Sequence, residues 1–194
     1  MPLKNIIPTT FVSLSLMSTV FLSTRGFDEE SVRIIIRITA QISVVLFALA
    51  FSSSSLNWIW PSKISKFLLK YRPHIGLTFG TTHFIHLLIL IILQLKFHPV
   101  FELAKSVSLI GGGIAYFCIL VMMVTTFPRI QKQIKQWRIL HVIGSYWIWI
   151  IFFNSYFKNV FNKNDKYEFF LLLVVVLLLR LFSSITKRKV LLSP

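Results

Sequence analysis

The chain has 194 residues, 55% of them hydrophobic, and a formal net charge of +15. A soluble domain of this size needs more polar side chains to cover its surface, so the composition excludes an ordinary globular protein. The basic residues lie in short intervals between apolar runs, and no polar domain remains that would bind nucleic acid. The single cysteine, Cys118, excludes an intramolecular disulfide and a Cys-rich metal motif.

Six apolar segments approach the length of roughly 20 residues that a bilayer-spanning helix needs. We therefore predict an all-α, integral membrane bundle of about six transmembrane helices, which forms a single domain. The predicted helices cover about residues 6–23, 34–55, 75–95, 107–127, 139–157 and 169–186. A signal peptide is the alternative for the first segment, but only Lys4 marks a basic start and residues 23–25 make a poor cleavage site.

The charged residues predict the orientation of this bundle. On one side of a six-helix topology lie only basic residues: Lys4, Lys63, Lys66, Lys70, Arg72, Arg129, Lys132, Lys135, Arg138, Lys187, Arg188 and Lys189. The loops on the other side hold all six acidic residues, together with fewer Lys and Arg. Since cytoplasmic loops carry an excess of Lys and Arg, we expect both termini in the cytoplasm. The expected location is the bacterial inner (plasma) membrane, with the lipid bilayer as the chain's first partner.

Histidines inside the apolar segments are the main candidates for chemistry, because ionisable groups in lipid are costly. His83 and His86 are three residues apart in the third segment and share a helix face, while His141 opens the fifth segment. Histidines on neighbouring helices are what bis-imidazole ligation of a haem requires. The alternative is that these side chains form hydrogen bonds between helices.

Two further features have structural interpretations. Arg180, near the end of the sixth segment, could pair with a haem propionate, but we expect its side chain to extend toward the cytoplasmic surface. The glycines at 111–113 are predicted to permit a close helix contact or a bend.

Three short motifs resemble the ferric reductase-like transmembrane family. They are Arg-Pro-His-Ile-Gly-Leu at 72–77 with His86 ten residues after its glycine, Thr-Thr-Phe at 125–127, and Trp-Arg-Ile-Leu-His at 137–141 with Tyr146 beyond. That family includes the haem-binding membrane subunit of the periplasmic methionine-sulfoxide reductase system and the membrane core of the NADPH oxidases. The resemblance covers about residues 33–157. It implies a helical bundle that holds haem b and passes electrons across the membrane.

The sequence departs from this family at one position. The family places a second histidine thirteen residues after the first on the fifth helix, and here that position is Asn154, a poor iron ligand. In addition, His86 lies in the outer half of its segment and His141 near the inner end. Two fully bis-histidine haems are therefore not expected.

Three arrangements follow from these residues. In the first, one haem lies between His86, or His83 as reserve, and His141, the two expected axial ligands of the iron. In the second, an inner haem uses His141 with Arg72 or His74 opposite, and an outer haem uses His86 with the amide of residue 154 nearby. In the third, no haem binds.

The predicted function is that of a haem b-binding electron-transfer component, an oxidoreductase component without an FAD- or NAD-binding domain of its own. Its electrons would come from an external donor, such as a quinol or a separate flavin reductase. The alternative is a haem-free membrane scaffold or assembly subunit with the same fold. A small-solute transporter lacks support, because the sequence shows no inverted repeat or paired broken helices.

Overall fold

A computed structural model describes residues 2–98, 103–161 and 167–192, and every regular element in these ranges is helical. A short 3-10 turn, Leu3–Asn5, precedes the first helix. The α-helices are α1 (Ile6–Arg25), α2 (Glu29–Ile59), α3 (Lys63–Phe97), α4 (Leu103–Thr125), α5 (Pro128–Gln131), α6 (Trp137–Phe161) and α7 (Tyr167–Leu192).

Most of these helices are long and apolar enough to cross a bilayer. Five meet both conditions within the described residues, namely α1, α2, α3, α6 and α7, while the described apolar part of α4, Ile110–Thr125, is shorter. The prediction of an all-α membrane bundle is confirmed. The chain is a multi-pass membrane protein.

Several helices continue past the apolar segments that predicted them. The helix α3 begins at Lys63 rather than near residue 75, because Ser62 and Ser65 form a capping box ahead of the apolar segment. Asp28 caps α2 by accepting a hydrogen bond from the Ser31 N–H at 2.7 Å, and this bond lowers the pKa of the Asp28 carboxyl. Hydropathy marks the part of a helix that lies in lipid, whereas caps decide where the helix begins.

Five of the long helices form a closed ring in which α2, α3, α4, α6 and α7 each contact the next, and α7 returns to α2. The first helix lies outside this ring and packs mainly on α3. All five ring helices contribute to one buried apolar core: Val44, Phe47, Ala48, Phe51, Phe79, Ala115, Ile119, Ile148, Phe152, Tyr156, Leu173 and Val176.

Pairs of side chains establish the directions of the helices. Contacts of Thr39 with His86, and of Phe47 with Phe79, show that α2 and α3 are antiparallel. Hydrogen bonds from Ser183 to Ser55, and from Trp58 to Thr186, show that α2 and α7 are parallel.

These directions bring the end of α2, the start of α3, the α4–α6 connection and the end of α7 to one end of the bundle. We call this the basic end, because its described charged residues are all basic: Lys63, Lys66, Lys70, Arg129, Lys132, Lys135, Arg138, Lys187 and Arg188.

Two glycines allow ring helices to approach closely. A Cβ atom on Gly111 would lie 3.0 Å from Cδ1 of Ile151, and the Trp147 indole donates to the Gly111 carbonyl at 3.3 Å. The close contact predicted for the glycine run is therefore found at Gly111, between α4 and α6. Gly80 performs the same role between α3 and α4, where a Cβ would collide with the side chain of Met123.

The Gly80 contact predicts a position-specific loss of stability. The G80V variant should lose about 1–3 kcal/mol, since the new side chain must displace Met123 and Ile119 from a packed interface. The matched control is G113V, because nothing lies within 4 Å of a Cβ at Gly113. Thermal unfolding in detergent measures both variants, and equal losses would contradict the packing role of Gly80.

Candidate functional site

A cavity of about 440 Å³ lies at the basic end, lined by residues of α2, α3, α4, α5 and α6 together with Leu3 of the N-terminal turn. Its walls are mainly apolar, with aromatic, Met and aliphatic side chains from these helices. Among the described lining residues only Arg72 and His141 carry ionisable side chains. Its volume lies in the range of small-molecule sites, and its few polar groups are typical of such sites.

Two arginines reach the same turn of α2 beside this cavity. Nη1 of Arg72 donates to Oγ of Ser54 at 3.1 Å, and Nη1 of Arg180 donates to the carbonyl oxygen of Phe51 at 3.0 Å. The Arg180 guanidinium also lies 4.2 Å from the ring centre of Phe51 and 5.0 Å from that of Tyr146. Arg180 thus points into the bundle and does not extend toward the surface as predicted, because α7 packs beside α2.

His141 links α6 to α4 at the cavity wall. Its Nε2 atom lies 2.7 Å from Oγ1 of Thr125, and that hydroxyl also lies 2.7 Å from the carbonyl oxygen of Val121. Thr125 has one hydroxyl hydrogen, so it donates either to Val121 or to His141, and the imidazole tautomer differs between the two cases. The Trp137 ring contacts the imidazole edge-on at 5.6 Å.

His86 links α3 to α2 at a different level. Its Nδ1 atom lies 3.1 Å from the carbonyl oxygen of Ile36 and 3.1 Å from Oγ1 of Thr39. The ring of His83 stacks on that of His86 at 5.4 Å and on that of Tyr116 at 4.8 Å. Within the described part of the chain, Nδ1 of His83 is buried without a hydrogen-bond partner.

The structure does not bring His83 and His86 together with His141. The His83 ring contacts Phe152, which follows His141 by eleven residues in α6, or about 16 Å of helix rise. The contacts with α4 indicate a similar separation. His83 contacts Tyr116, whereas His141 contacts Thr125, which follows Tyr116 by nine residues in α4. Two axial ligands must bind opposite sides of one iron, so the arrangement with a haem shared by His86 and His141 does not fit this bundle.

The outer haem of the second arrangement does not fit either. His83 is surrounded by the packed rings of Phe79, Tyr116 and Phe152. His83 and His86 line neither the main cavity nor a smaller one of about 220 Å³ between α1, α2 and α3. Asn154 is exposed on the surface of α6 and is not available as a group opposite His86.

Of these haem positions, the inner one of the second arrangement agrees best with the cavity. His141 and Arg72 lie on the walls of one cavity, whereas His74 is not among the residues that line it. A Cβ atom added to Gly76, on the same wall as Arg72, would meet nothing within 4 Å, so the glycine leaves open space. The cavity therefore has one imidazole, one guanidinium and mainly apolar walls, a combination that would suit a porphyrin.

The sequence did not reveal several residues of this site. Ser54 and the carbonyl of Phe51 bind the two arginines, yet both are ordinary residues of an apolar segment. Thr125 belongs to the Thr-Thr-Phe motif, but the motif did not indicate its contact with His141. The Ser52–Ser55 run at the end of the second segment was the available signal, because hydroxyl-rich turns in lipid accept hydrogen bonds from neighbouring helices.

The hydrogen bond between His86 and Thr39 predicts an energetic coupling of these side chains. In a double-mutant cycle with H86F and T39V, the coupling should be about 0.6 kcal/mol and at most ~2 kcal/mol, as for other interhelical bonds in membranes. The matched control is T81V, which removes a buried hydroxyl that donates to the Leu77 carbonyl of its own helix and to no other helix among the described residues. Unfolding in mixed micelles measures the cycle, and a coupling no larger than that of H86F with T81V would contradict the bond.

No family model matches the chain, and no curated protein or solved structure matches it. The resemblance to the ferric reductase-like family therefore depends on the short motifs of α3, α4 and α6, and the haem interpretation stays a prediction.

Proposed function

We propose that the chain is a haem b-binding membrane component that transfers electrons, with its haem in the cavity at the basic end. The observation that carries this proposal is the position of His141 and Arg72 on the walls of one apolar cavity. The motif resemblance to the ferric reductase-like family supports it. When bound, the haem would supply one-electron redox chemistry, while the protein supplies the ligand, the dielectric and the charge.

The residues of the cavity would have distinct roles. His141 would be the axial ligand, and ligation through Nε2 requires its contact with Thr125 to open. Arg72 has only N–H donors and no free electron pair, so it would hold a propionate rather than the iron. The aromatic and Met side chains of the walls, such as Phe79 and Met122, would keep water away.

The electron donor would reach this site from the basic end. A quinol or a separate flavin reductase would deliver the electrons. Because the cavity lies at this end, the path from donor to haem would be short.

A visible absorption spectrum tests the haem proposal. Protein expressed with ample haem and reduced with dithionite should show sharp b-type bands. The H141A variant should lose at least ~90% of the bound haem, because its replacement removes the only imidazole of the cavity within the described residues. The matched control H98A changes an exposed histidine at the end of α3 and should keep the bands.

Each outcome has a distinct meaning for the site. H86A should also keep the bands, because His86 lies outside the cavity. Loss of haem in H86A but not in H141A would contradict the inner site. A colourless wild-type protein would contradict haem binding altogether.

A haem-free scaffold or assembly subunit is the second candidate. The observation that favours it is that His86 and His141 each already form a hydrogen bond to a neighbouring helix. Such bonds stabilise a membrane bundle without any cofactor.

We also propose that the basic end faces the cytoplasm, which supports delivery of electrons from that side. The excess of Lys and Arg at this end, and the acidic residues at the other, favour this orientation. The start of α1 and the end of α7 both lie at the basic end.

Cysteine labelling tests the orientation. In a C118A background, K132C in the α4–α6 connection and E30C at the start of α2 place one exposed cysteine at each end. An impermeant maleimide added to intact spheroplasts should label E30C at least ~10-fold more than K132C, and inverted vesicles should reverse the ratio. Preferential labelling of K132C in spheroplasts would overturn the orientation.

A further inference from the structure

We propose that Arg72 and Arg180 form a binding site for a phosphate group, which the headgroup of an anionic membrane lipid supplies. The site is distinct from haem ligation, because it needs neither His141 nor an iron. It combines two cations from α3 and α7 with the apolar cavity beside them.

Both guanidinium groups converge on one turn of α2. The partners of Arg72 and Arg180, the Ser54 hydroxyl and the Phe51 carbonyl, come from residues three positions apart. A helical carbonyl points toward the residue one turn ahead, so the Phe51 oxygen lies near the level of Ser54. The two side chains thus reach the same level of α2, Arg72 from α3 and Arg180 from α7.

Both guanidinium groups keep spare hydrogen-bond donors. Each makes one hydrogen bond to the protein within the described residues, although a guanidinium has several N–H donors in a fixed fork. Arg72 lines the cavity, and Phe51, which Arg180 covers, lines it too. The planar fork suits the oxygens of a phosphate, which accepts two parallel hydrogen bonds from an arginine.

The charge of this pair is not balanced by the described part of the chain. The carboxylates there are Asp28, Glu29, Glu30 and Glu168, which lie at the start of α2 and α7, at the opposite end of the bundle. Glu29 pairs with Arg33, in the one ion pair of the described residues. Two like charges in a medium of low dielectric repel each other, so an anion between them is favourable.

The depth of the site suits a lipid headgroup. Ser54 lies five residues before the end of α2, or about 7–8 Å inside the basic end. This is the depth of the interface between the headgroups and the hydrocarbon, and the apolar walls of the cavity suit the attached acyl chain. Anionic lipids are recognised by such basic pockets between transmembrane helices.

The test compares thermal unfolding of the haem-free protein in three media. They are micelles with phosphatidylcholine, micelles with the same fraction of phosphatidylglycerol, and the first micelles with added inorganic phosphate. Phosphatidylglycerol should raise the Tm of the wild type by roughly 2–4 °C, because a ligand that binds only the folded state stabilises it. The R72Q and R180Q variants should each lose more than half of this rise.

Matched controls separate the site from general charge effects. R129Q removes an exposed arginine from the same basic end and should keep the full rise. R180K keeps the charge and should keep part of it. Native mass spectrometry provides a second readout: phosphatidylglycerol should remain bound to the wild type and R129Q, and less to R180Q, even if the unfolding of a variant is broad.

The outcomes decide between the sources of the phosphate. If inorganic phosphate alone raises the Tm, and both arginines are needed for this rise, the phosphate site is supported but its ligand is a free anion and not a lipid. Equal rises in the wild type, R72Q and R180Q, or no rise at all, would overturn the site. Because the protein is haem-free throughout, none of these results depends on the haem proposal, whose test is the spectrum.

Discussion

The ring of five helices depends on one constraint of the bilayer: a polar group that lacks a partner in the hydrocarbon costs free energy, so polar groups favour contacts within the bundle. Apolar packing alone does not select neighbours in lipid, because the hydrocarbon chains are as apolar as the side chains. The selection comes from a few polar contacts between helices. Ser183 and Arg180 attach α7 to α2, His86 attaches α3 to α2, and His141 attaches α6 to α4.

The same constraint explains the two different environments of the histidines. At the level of His86 the space between helices is filled by aromatic rings, so the imidazole serves as a bridge to the α2 backbone. At the level of His141 small residues such as Gly76 and Ser145 leave a cavity, and the imidazole borders on open space. The two histidines thus have different surroundings because their neighbours differ in size.

The arginines connect the cavity to the membrane surface. Arg72 and Arg180 lie between the exposed lysines of the basic end and the apolar core, and their guanidinium groups contact α2. In the two proposals, their charge would attract an anionic group, either a haem propionate or the phosphate of a lipid.

The sequence by itself determined the class of the protein, the approximate place of each long helix and the separation of charge between the two ends, because hydrophobic length and charge are local properties. It also singled out His83, His86, His141 and Arg180 as ionisable groups within apolar segments. Only the tertiary structure decided that Arg72 shares a cavity with His141, that His86 lies about three helical turns or more from it, and that Arg180 turns inward. Those relations depend on the tilt, depth and rotation of whole helices. Packing between segments that are distant in sequence sets these quantities, so no single segment encodes them.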